Sequence, residues 1–79
     1  MDPIETEILR QTAARGPEKS ICPSEVAQAL APVWRPLLGP VRAAAVRLAQ
    51  AGQIEILRKG KPVEDLKELR GVIRLRAAR

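Results

Sequence analysis

The chain has 79 residues, enough for one domain that buries roughly 60 to 65% of its unfolded surface around a small core. Phe and Tyr are absent and Trp occurs once, which makes that core aliphatic and argues against single-strand binders that stack bases on aromatic rings. The formal net charge of +5 is uneven, with three basic against five acidic side chains in residues 1–33 (net −2) and eleven against four in residues 34–79 (net +7), a balance that favours a polyanionic partner, nucleic acid before anionic membrane.

Asp2 suits an N-cap, Pro3 the first helical position and Glu5 lies close to the capping-box place, so a first helix is predicted over about residues 3–14. Ile4, Ile8, Leu9 and Thr12 form its inner side, Glu5, Glu7, Arg10 and Gln11 are read as solvated, and Gly16-Pro17 stops it. Ser20-Ile21-Cys22 is read as an extended segment that takes Ile21 into the core beside a later hairpin. Pro23 opens a second helix over about residues 23–31, with Glu25 at its positive end, Val26, Ala27, Ala29 and Leu30 inward, and Pro32 as its stop. Cys22 at this helix start raises the question of a nucleophilic or redox role. The chain has no histidine to serve as its base and no second cysteine to resolve a disulfide, so a small buried side chain is the preferred reading.

Pro32, Pro36 and Pro40 recur every four residues and make the chain turn sharply between them. Trp34 is most simply a core plug between the second and third helices, its indole N–H finding a backbone acceptor; a ligand-stacking ring is the alternative. Arg35 is placed either to reach a phosphate or to cap the last carbonyls of the second helix. A third helix is predicted over about residues 40–51, opened by Pro40 and stopped by Gly52. Helical spacing puts Val41, Ala44, Ala45 and Leu48 on one buried stripe and turns Arg42, Ala43, Val46, Arg47 and Gln50 outward. A slim cationic face of this kind fits a DNA major groove.

After Gly52 the apolar period falls to two: Ile54 and Ile56 face one way, Glu55 and Arg58 the other, and Ile73 and Leu75 alternate with Arg74 and Arg76. Strands are therefore predicted over about residues 53–58 and 72–76, pairing as a hairpin around a basic loop of residues 59–71 that carries Lys59, Lys61, Lys67 and Arg70. Lys59-Gly60-Lys61-Pro62 opens that loop as a turn, Asp65 to Leu69 is read as one helical turn, and Ala77 to Arg79 are expected to fray. The fold class that results is mainly α with a small β-hairpin, an α+β winged helix-turn-helix of three helices and a two- or three-stranded antiparallel sheet in a single domain spanning residues 1–79.

Ile21-Cys22-Pro23-Ser24-Glu25-Val26-Ala27, Trp34-Arg35, Val41-Arg42-Ala44, Leu48-Ala49, Gly52, Ile54-Glu55-Ile56, Gly60, Pro62-Val63 and Gly71 with Ile73-Arg74-Leu75-Arg76 together resemble a bacterial family of small winged-helix proteins classed as a domain of unknown function. The resemblance covers nearly the whole chain and implies the fold, without supplying an activity.

Function is therefore argued from residues. Arg42, Arg47 and Gln50 are the groove-facing candidates, with Val46 or Ala43 placed to touch a thymine methyl. Lys59, Lys61, Arg74 and Arg76 are read as phosphate contacts, with Arg35 as a further candidate. The expected partner is duplex DNA, with homodimerisation as the way a lone domain gains specificity, although no dedicated dimerisation helix is visible. The rival reading is a protein-interaction or dimerisation module, in which Val46, Leu57 and Val72 form an exposed apolar patch; duplex RNA is a weaker third. An enzyme is not expected, since histidine is absent and no carboxylate pair, phosphate-cradling glycine loop or metal-ligand cluster is present; no cofactor or small-molecule ligand is implied. One cysteine closes no intrachain disulfide, no apolar run approaches the roughly 20 residues of a membrane span, and no signal-peptide core opens the chain, so a cytoplasmic location is expected.

Overall fold

A computed structural model describes residues 2–67 and 69–78 of the chain. Helix α1 spans Pro3–Arg15, α2 Pro23–Leu30 and α3 Leu38–Gln50, followed by strands β1 Ile54–Arg58, β2 Lys61–Pro62 and β3 Arg74–Ala77. The strands make one antiparallel sheet in the order β2-β1-β3. The fold is α+β, and its element order fits a winged helix.

Asp2 caps α1 as its side chain predicts, Oδ1 accepting from the backbone N–H of Ile4 at 2.7 Å and of Glu5 at 3.4 Å. Ile8 and Thr12 are its buried residues, and the Thr12 hydroxyl is satisfied by donating to the Ile8 carbonyl at 2.8 Å. Gly16, at φ 80°, ends the helix. Helix α2 starts at Pro23 with a reciprocal cap: the Cys22 N–H donates to Glu25 Oε2 at 2.6 Å and the Glu25 N–H to the Cys22 carbonyl at 3.0 Å. Its inner face is narrower than expected. Pro23, Val26 and Ala27 are buried, whereas Ala29 is exposed, because an eight-residue helix turns only one stripe toward α1 and α3.

Helix α3 starts two residues early, at Leu38, after a 3-10 turn over Arg35–Leu37. Pro40 is thus in the first turn rather than at its start, a place it tolerates because the N–H groups there have no intrahelical partner. At the other end Gly52 (φ 77°) closes a double hydrogen bond, Gly52 N–H to the Ala49 carbonyl and Gln53 N–H to the Leu48 carbonyl, both 3.0 Å. Between these ends Val41, Ala44, Ala45 and Leu48 are all buried, as the spacing requires.

These four pack with Ile8, Val26, Ile54, Ile56, Ile73 and Leu75 in one aliphatic core. Ile21 joins it through a two-way backbone bridge to Leu75, 2.8 Å in each direction. Three further expectations are corrected. Trp34 packs against the core but is only partly buried rather than fully enclosed as a plug. Leu57, expected on the surface, is only 6% exposed, because it lies on the central strand between Pro62 and Arg74. Ala77 belongs to β3 opposite Ile54 instead of fraying, while Arg79 lies outside the described residues.

Candidate nucleic-acid interface

The hairpin between β1 and β2 is tighter than a long loop. Arg58 pairs with Lys61, so only Lys59 and Gly60 make the turn, and both have positive φ, 53° and 79°. Two left-handed residues match the twist of antiparallel strands, and glycine at the second removes the steric cost there. The consequence is a short finger carrying Arg58, Lys59 and Lys61, all exposed and none with a side-chain partner among the described residues. Beyond it, Asp65 Oδ1 accepts from the Lys67 N–H at 3.0 Å, a side-chain turn where a helical turn was expected; Glu68, within the predicted span, lies outside the described residues.

The arginines fall into two electrostatic groups. Arg42 donates to the carbonyls of Gly71 (3.2 Å) and Leu69 (3.3 Å), fastening α3 to the segment that leads into β3. Arg74 donates to Ser20 Oγ at 2.7 Å and to the Ser20 carbonyl at 2.9 Å. Both guanidiniums are oriented by neutral oxygens, so their positive charge is not cancelled. Arg47 and Arg76 differ. Arg47 Nε donates to Glu5 Oε2 at 2.8 Å, with Asp2 Oδ2 3.6 Å from its Nη2, so Glu5 is half-buried under an ion pair rather than solvated. Arg76 binds Glu55 Oε1 through Nε (2.9 Å) and Nη2 (2.6 Å), and its side chain is only 18% exposed.

Arg35 is exposed and stacks on Trp34, its guanidinium carbon 4.8 Å from the ring centroid. Gln50 is exposed near the C-terminal end of α3, and Val46 is half-buried against the core. Arg42, Lys59 and Arg74 come together around Val72. A hollow of about 220 Å³ on one side of Val72 is bordered by Arg42, and one of about 350 Å³ on the other side by Lys59 and Arg74. Arg47 is directed instead to the N-terminus of α1.

Arg58 and Ser20, placed from the sequence on a strand and in an extended segment, were not among the candidate binding residues. Arg58 carries a readable signal, since a Lys-Gly pair two residues before a proline is a tight-turn pattern whose flanking residues face each other; Ser20 carries none. Among the described residues no group of three His, Cys, Asp or Glu side chains is arranged to hold a metal ion, and no helix is long and apolar enough to cross a membrane. Residues 1–78 match the family model described as a protein of unknown function (DUF3253), and the chain belongs to that family. No curated protein matches it.

Proposed function

We propose that this DUF3253 member is a non-enzymatic winged-helix protein that binds duplex DNA, with phosphates held by the β1–β2 finger and the cations around Val72. The observation that carries this reading is the separation of charge. Arg42 and Arg74 are fixed by neutral acceptors beside Lys59, and Arg58 and Lys61 flank the same turn. Fixed, uncompensated cations gain most from phosphate, because no counter-charge has to be displaced first.

The outward face of α3, with Ala43, Val46, Arg47 and Gln50, is then the base-reading element. Arg47 reaches a base only by leaving Asp2 and Glu5, and its side chain is 52% exposed. An ion pair so open to water contributes about 0 to 1 kcal/mol, so a guanine edge competes with it. Arg76, held by Glu55, has the weakest claim of the sequence candidates to a phosphate.

Titrating a labelled pool of random duplexes at two salt concentrations tests the proposal. About five phosphate contacts give a log–log salt slope near −4.5. Absence of binding at low salt, or binding that ignores salt, overturns it.

A further inference from the structure

Val72 is 78% exposed, the most exposed large apolar side chain among the described residues, with Val33 next. It stands as a ridge between two hollows whose walls are chiefly apolar. Pro23, Leu38 and Ile73 line the first, and Leu57 lies in the second. Each hollow has a guanidinium held in place at its border, Arg42 on one and Arg74 on the other, with Lys59 beside Arg74. Neutral oxygens hold the two guanidiniums in place, so neither rim is neutralised from within the described residues.

An apolar floor bordered by uncompensated cations is complementary to one class of partner. It must bring apolar side chains to fill the hollows and carboxylates to meet the rim. A duplex meets only half of this description, since its phosphates satisfy the cations but leave the apolar walls against a polar backbone. An extended peptide meets both, because side chains at i and i+2 point the same way about 6.6 Å apart and can straddle a single valine.

We infer that the cleft centred on Val72 binds an extended acidic peptide segment of another protein, two apolar side chains of which enter the hollows on either side of Val72 while flanking carboxylates pair with Arg42, Arg74 and Lys59. This goes beyond DNA binding, and because the two ligands share the same cations they compete.

The experiment selects peptides on the full chain from a displayed random nonapeptide library. The most enriched peptide is then labelled, and its affinity is measured by fluorescence anisotropy for the natural chain, Val72→Ser and Arg74→Lys. Enriched peptides are expected to carry two apolar residues two apart within a net acidic sequence. Val72→Ser weakens binding about tenfold, the scale of losing one buried valine contact, and Arg74→Lys, which keeps the charge, weakens it less. Since Val72 is exposed, its replacement leaves the fold intact, which circular dichroism verifies.

No enrichment, enrichment of peptides without acidic residues, or equal affinity of the natural chain and Val72→Ser overturns the inference. Duplex DNA titrated against the same variants separates the two readings. Val72→Ser is expected to leave duplex affinity unchanged, and an equal loss for duplex and peptide assigns the cleft to nucleic acid and refutes the peptide proposal. Failure of the DNA reading alone shows as peptide binding with no duplex binding.

Discussion

Replacing Lys59 by Asn together with Lys61 by Gln removes two cations from the finger while keeping its turn. Lys59 has φ 53° and precedes Gly60, and an Asn-Gly pair is the most favoured sequence for two left-handed turn residues, so the hairpin is retained or tightened. Lys61 is exposed and has no side-chain partner among the described residues, so Gln there disturbs no packing. If Arg42, Arg58, Lys59, Lys61 and Arg74 each neutralise one phosphate, the natural chain releases counterions with a slope near −4.5, and the double variant, with about three contacts, near −2.7. Between 50 and 200 mM salt the natural chain should then lose affinity about 500-fold and the variant about 40-fold. Anisotropy of a labelled duplex across that range measures both slopes, and a thermal melt verifies that the variant is folded. Equal slopes would refute the claim that the finger lies on phosphates, whatever the change in affinity at a single salt concentration.

Three other perturbations probe the same structure. Asp2→Asn, which keeps an N-cap, together with Glu5→Gln releases Arg47 from both its carboxylate partners and should raise duplex affinity by up to about fivefold, the equivalent of about 1 kcal/mol; unchanged affinity removes Arg47 from the interface. Gly60→Ala should destabilise the chain by about 1 to 2 kcal/mol in urea, the cost of a left-handed alanine, with no crowding added because the new Cβ meets nothing within 4 Å outside its chain neighbours; an unchanged urea midpoint would contradict the left-handed turn. The Glu7 carboxyl is held below its ordinary value of 4.5 by hydrogen bonds from Arg10 and Gln11. Its contribution is therefore complete above about pH 4.5 and is lost as pH falls through the lower folded value. The difference in melting temperature between the natural chain and Glu7→Gln should accordingly shrink as the solution is acidified below pH 4.5, and a constant difference would contradict the pairing.

What the sequence determined by itself is local. Spacing put Val41, Ala44, Ala45 and Leu48 on one stripe, all four of them buried, and the alternation of Ile54, Ile56, Ile73 and Leu75 set the inner face of the sheet. Both are legible because helix and strand periods act over a few residues, and the Asp2 cap and the Gly52 stop are legible for the same reason. Tertiary structure decided which charges remain available. Arg47 meets Glu5 across 42 positions, Arg42 meets Leu69 across 27 and Arg74 meets Ser20 across 54. The burial of Leu57 likewise follows from its place between Pro62 and Arg74, the second of them 17 positions away. A periodicity records which way a side chain points, but whether a guanidinium meets a carboxylate or a neutral carbonyl there depends on how distant segments pack.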